Sequence, residues 1–192
     1  MKTTLTLIAV VAIALAGFAA APYAGDATEK TAGAEPTADE QVAMFEEMCA
    51  ASAAARAERQ EEKSLYERMG GEERIHEMVA EIVRLHQENE DLVHIMDGVD
   101  IDKLVDGVSV FFAAGTGGDA VYGGPSLMES HENMKLTNAL FLSAGGDVVQ
   151  GMKNMEMGED EINEMMCIFI ALRPQVVLSD EHDHSEHSGH GH

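Results

Sequence analysis

Apolar residues recur along most of this chain at steps of three and four, the period of helices buried along one side. From Glu72 to about Asn89 the positions Ile75, Val79, Ile82, Val83 and Leu85 form such a stripe, with His86 beside it. Ser64 is placed to cap a short helix through Tyr66 to Met69, which Gly70-Gly71 ends before the longer one begins. A connector with Leu92, Ile95 and Met96 leads to Asp100, a cap for a helix holding Leu104, Val108, Phe111 and Phe112. Thr137 to Met157 repeats the pattern with Phe141, Ala144, Val148, Met152 and Met155. Gly145 and Gly146 inside it cost about 1 kcal/mol each relative to Ala, which close packing without a side chain would offset. After Gly158 a last helix, Glu159 to about Val177, turns Ile162, Met165, Met166, Phe169 and Ile170 inward. Strict alternation bounded by hairpin turns is missing, so the pattern predicts an all-α domain.

Ahead of this domain, Asp39 to Lys63 reads as one added, loosely docked helix, with Val42, Phe45, Met48 and Cys49 on a shared face. Residues 25–38 are rich in Gly, Ala, Thr and Glu and read as a flexible linker. The first 24 residues have a basic start at Lys2, an apolar run from about Leu5 to Ala21 and small residues beyond, the layout of a secretory signal peptide. Left uncleaved, the run would be an N-terminal membrane anchor; either way the chain is expected to be exported, to a periplasm or the outside. Residues 179–192 lack apolar positions that could fold them and read as a disordered tail. That tail carries His182, His184, His187, His190 and His192, which together with its carboxylates could capture Zn, Cu or Ni ions or serve as a solubilising end.

Charge removes two classes of partner. With 35 acidic against 12 basic residues, a formal net charge of −23, the 192-residue chain is repelled by nucleic-acid phosphates and anionic lipid. The two cysteines, Cys49 and Cys167, allow one intramolecular bridge or two unpaired thiols, and the sequence leaves both open. No cysteine cluster suggests zinc, and nucleophile elbow, P-loop, dinucleotide loop and HExxH are all missing, so an enzyme mechanism finds little support.

The stretch from Gly117 to Phe141 carries the candidate chemistry. A glycine-punctuated loop, Gly117-Gly118 and then Tyr122 to Pro125, delivers a short helical turn on which Leu127, Met128, His131 and Met134 fall at helical spacing. One imidazole in an otherwise apolar face is a satisfied core histidine in most proteins. It is also what a flat apolar cofactor with a central iron requires: hydrophobic sides for the ring and one neutral nitrogen for the metal.

The ordered set of motifs from Ser64 to about Val177 resembles the truncated haemoglobins, most closely their first group. The resemblance rests on Leu65-Tyr66 with Met69-Gly70-Gly71, on Leu92, Gly98-Val99-Asp100 and Leu104, and on Phe111-Phe112. It continues through Gly117-Gly118, Tyr122-x-Gly124, then His131, Met134, Leu136 and Phe141, to Leu172-Arg173. The resemblance implies a two-over-two helical sandwich around haem b, with His131 as the proximal iron ligand and a diatomic gas (O2, NO or CO) as the second. It also implies apolar walls from Val83, Met96, Leu104, Val108, Phe111, Phe112, Tyr122, Met128, Met134, Leu136 and Phe141, and a glycine loop passing close to the porphyrin.

Departures from the family pattern shape the expectation for the distal side. Ile82-Val83 stands where the family has Phe-Tyr, Val108 where it often has Gln, and Met96 where a Phe stacks on the haem. A missing donor to bound oxygen costs about 1.5–3 kcal/mol, so tight oxygen carriage and dioxygenase chemistry are disfavoured. An apolar pocket suits NO or CO; His86 could supply a substitute donor or sixth ligand, and Met96 could approach the iron. Two further readings come from other classes: a globin-fold protein that docks a partner through Met-rich surfaces without stable haem, and a metal-ion buffer acting through the tail.

Overall fold

The computed structural model describes residues 35–178. Eight helices and two 3-10 turns make up the described residues, which contain no strand. The helices are α1 (Ala38–Ala51), α2 (Ala53–Glu62), α3 (Leu65–Arg68), α4 (Gly71–Glu88), α5 (Ile101–Gly115), α6 (Leu127–His131), α7 (Asn138–Asn154) and α8 (Glu159–Leu172). The 3-10 turns are Val93–Ile95, between α4 and α5, and Arg173–Gln175, after α8.

Local chemistry sets most of the boundaries. Thr37, Ser64 and Ser126 each close a capping box with a glutamate three residues on (Glu40, Glu67, Glu129), satisfying amides that the first helical turn leaves free. Asp100 and Thr137 cap α5 and α7 through side-chain oxygens. The last helix stops at Leu172, short of the expected Val177, because Pro174 cannot donate to a continuing ladder and the chain tightens into the 3-10 turn. Likewise α7 ends at Asn154 rather than Met157, and the chain turns through Glu156 at φ 55°.

The core is a cluster that joins α4 to α5, α7 and α8. Leu65, Met69, Ile75, Met78, Val79, Met152 and Met165 are essentially sealed from solvent, with Val83, Val105 and Met166 around them. Helix α4 is the central element, packing on α5 along one side and α7 along the other. Within α7 the two glycines differ: Gly145 is buried against Met166 and Phe169 of α8, where added bulk would crowd both side chains, while Gly146 faces open space.

The segment before the domain departs from expectation in two ways. It is two helices, broken at Ser52, whose hydroxyl donates to Met48 O at 3.1 Å while Arg56 reaches back to Cys49 O at 2.7 Å. And α1 is not loosely docked. It packs on α7 and α8, buries Val42, and is bonded to α8 through a Cys49–Cys167 disulfide with Cα atoms 5.4 Å apart. Two free thiols are thereby excluded. Met48, expected on the docked face, is 41% exposed, as Cys49 takes the inward position.

None of the described helices is long and apolar enough to cross a membrane. The expected leader (1–24), most of the linker and the histidine tail (179–192) lie outside the described residues.

Candidate functional site

The short helix α6 carries His131 at its last position. Ser126 caps it: its hydroxyl and its amide donate to Glu129 Oε2 at 2.7 and 2.8 Å, and the Glu129 amide donates back to the Ser126 hydroxyl. Those two donors hold the Glu129 carboxyl below its ordinary range, the hydroxyl contributing most. One turn later His131 Nδ1 lies 2.7 Å from Leu127 O. A carbonyl only accepts, so Nδ1 carries the proton and the lone pair of the neutral ring is on Nε2. The same bond fixes the ring plane, as a carbonyl behind a metal-binding imidazole does.

The loop entering α6 is pinned by aromatic packing. Tyr122 donates its hydroxyl to Pro125 O at 3.0 Å and meets Phe111 of α5 edge-on at 5.2 Å; Phe111 in turn contacts Phe112 at 6.2 Å. Two glycines of this loop sit tightly against neighbouring elements. A Cβ on Gly118 would lie 2.8 Å from the Tyr66 ring and 2.9 Å from Ala113 O, and Gly117, at φ 103°, abuts Gln60 and Ser64. A side chain at either of these two residues would press on α3 and the end of α2.

Besides Phe111 and Tyr122, which meet at the loop, the other nine expected wall residues fall into three groups. Val83 belongs to the buried core, and Met96, Leu104, Val108 and Phe112 pack half-exposed against that core, so α4, α5 and the connector bring these five together. Leu136 is buried before α7, and Phe141 is buried and stacked on Phe169, with ring centroids 4.3 Å apart. Met128 and Met134, on and just after α6, are 50% and 40% exposed, an apolar surface beside the imidazole that no described side chain covers. The sequence pattern gives Phe169 only an inward place on α8, and its stacking on the expected wall residue Phe141 is a tertiary contact that the pattern does not show.

Polar groups on and beside α4 and α5 bond within the chain. Ser109, buried on α5, donates its hydroxyl to Val105 O at 2.6 Å, and Thr116 donates to Phe112 O at 2.7 Å. His86 is turned onto α7, where Nδ1 meets Asp147 Oδ2 at 2.8 Å, and Asn89 donates to the same oxygen at 2.9 Å. Among the described residues no group of three His, Cys, Asp or Glu side chains is arranged to hold a metal ion. Among the described residues, a single imidazole at His131 beside the exposed Met128 and Met134 is a donor set that fits haem better than a bare cation.

A model of the bacterial-like globins matches residues 64–177, more than half of the chain. The protein belongs to that family, and its fold is the 2/2 truncated globin. Among solved structures it is similar to the truncated haemoglobin of Tetrahymena pyriformis in its Fe(III) form, at 23% identity and TM-score 0.58, over 60% of this chain and 98% of the other. It is also similar to the 2/2 haemoglobin of Synechococcus sp. PCC 7002 in the cyanomet state with covalently attached haem, at 23% identity and TM-score 0.56, over 59% of this chain and 98% of the other. No curated protein matches the sequence.

Proposed function

We propose that this chain is an exported haem b protein that binds a diatomic gas, with His131 as the proximal iron ligand. The observation that carries the reading is the His131–Leu127 hydrogen bond, which fixes the ring and leaves Nε2 as the atom for a metal, with the exposed Met128 and Met134 on the same short segment. Bound there, haem would supply an open coordination position for the gas.

The chain's own residues decide which gas is favoured. Val83, Leu104 and Val108 offer no proton, and the hydroxyls of Ser109 and Thr116 are committed to backbone carbonyls. A ligand that needs little hydrogen bonding, NO or CO, is therefore better served than O2, whose polarised form is held by donors. Export is supported by the Cys49–Cys167 bond, since disulfides persist in oxidising compartments, and by the leader-like start of the sequence.

The test is a visible absorption spectrum of the protein mixed with haem, in ferric, ferrous and ferrous-CO forms, beside His131→Ala. A stoichiometric Soret band that collapses in the variant is the expected result. Equal haem uptake by both proteins would overturn it.

A further inference from the structure

Helix α1 lies outside the matched globin residues, yet both of its ends are tied to the layer that holds the stacked pair Phe141 and Phe169. At its start, Asp39 Oδ1 accepts from Asn138 Nδ2 at 2.6 Å, and Asn138 Oδ1 accepts from Arg173 Nε at 2.6 Å. Asn138 is buried at the first position of α7, one helical turn before Phe141. Near its other end, Cys49 is bonded to Cys167, two residues before Phe169 on α8. The helix therefore spans α7 and α8, tied to each within one helical turn of the ring it contributes to the stack, and the turn that supplies Arg173 is itself in contact with α6, the carrier of His131.

We propose that α1 is a disulfide-latched brace that holds the Phe141–Phe169 wall and the adjoining proximal segment, and that a dithiol reductant releases it. In the release step the Cys49–Cys167 S–S bond accepts two electrons and two protons, giving two thiols, while the two thiols of the reductant close to a disulfide. Besides the latch, α1 is held by buried Val42, half-buried Phe45 and the Asp39–Asn138 hydrogen bond, while Met44 and Met48 face solvent. Val42 and Cys49 are the two buried residues of α1, so its packing on α7 and α8 leans on the latch itself, and an element held in this way opens locally without global unfolding once the latch is broken. The consequence for the bound group rests on the haem reading; the opening of the brace does not.

The experiment compares the oxidised full chain, the same protein reduced with dithiothreitol, and Cys49→Ser/Cys167→Ser. Amide exchange is followed in the apoprotein, and haem transfer to an excess of an acceptor apoglobin in the loaded protein. The brace predicts that amides of α1 and of residues 136–141 exchange faster in the reduced and double-Ser forms, on the order of tenfold or more, with α4 and α5 unchanged. Haem transfer should accelerate by a similar factor in both. Protection of α1 that survives reduction overturns the proposal, as does opening of α1 alone while residues 136–141 and haem transfer stay as they were. If no form binds haem, the proposed function fails, and the exchange data still decide the brace.

Discussion

Gly151 of α7 lies so close to Ile82 of α4 that a single added methyl would sit 2.6 Å from Ile82 Cγ1 and 3.4 Å from its backbone nitrogen. The contact is where the two longest helices cross, and it fixes how near α7 approaches the face of α4 that carries Val83.

The first prediction follows from that crossing. Alanine gains about 1 kcal/mol over glycine in a helix interior, yet here the β-branched Ile82 cannot swing aside without leaving its rotamer. Overpacking of this kind costs about 1–3 kcal/mol, so Gly151→Ala should be neutral to destabilising by about 2 kcal/mol. Ile82→Ala combined with Gly151→Ala should recover part of the crossing's fit, a coupling read by a double-mutant cycle of thermal unfolding. Gly146→Ala, in open space, should be stabilising, and a finding that both glycine variants stabilise alike would remove the tight crossing from the account.

The second prediction concerns the missing donor. Val108 stands half-exposed on α5 beside Leu104, and neither offers a proton. On the proposed function, Val108→Gln should raise O2 affinity about 10- to 100-fold, the equivalent of about 1.5–3 kcal/mol for a hydrogen bond to a charged acceptor. CO affinity should move by no more than a few-fold, because CO accumulates little negative charge. Flash-photolysis rebinding of both gases measures the ratio. An O2 affinity that does not change, with CO unchanged as well, would mean that a donor other than residue 108 already serves the pocket.

The helical period of this chain made its main domain legible, since Ile75, Val79, Ile82 and Val83 can share one face only in a helix, and capping residues such as Ser64, Asp100 and Thr137 mark where helices begin. What pattern could not give was pairing. Cys49 and Cys167 are 118 positions apart, and only the docking of α1 on α8 decides that they meet. The break at Ser52 was hidden for a related reason: alanines on both sides propagate a helix equally well, and the interruption depends on Ser52 and Arg56 competing for the carbonyls of Met48 and Cys49. At the candidate site, spacing put His131 on an apolar turn and the family resemblance gave it a role, but the carbonyl that sets its tautomer is main chain and leaves no mark in sequence. The loop glycines announced that side chains are excluded there, without saying that Tyr66 is the neighbour.

The last prediction is a pH dependence that links α4 to the end of α7. Arg84 donates to both oxygens of Glu81 at 2.8 Å, and Asn154 adds a third bond to Oε1 at 2.6 Å. These donors, Arg84 first, hold the Glu81 carboxyl down at about 2, against 4.5 in a free chain. A depressed carboxyl stabilises the fold above its unfolded-state value, and that contribution is lost as pH falls through the window from 4.5 to about 2. Glu81→Gln should therefore lower the Tm near neutral pH, where the carboxylate is fully engaged. The gap between wild type and variant should then close as the solution is acidified through that window. Subtracting the two curves removes the many other carboxylates, which titrate in both proteins. A gap that stays constant from neutral pH down to about 2 would show that the Glu81 bonds contribute through shape and hydrogen bonding alone, with no preference for the charged form.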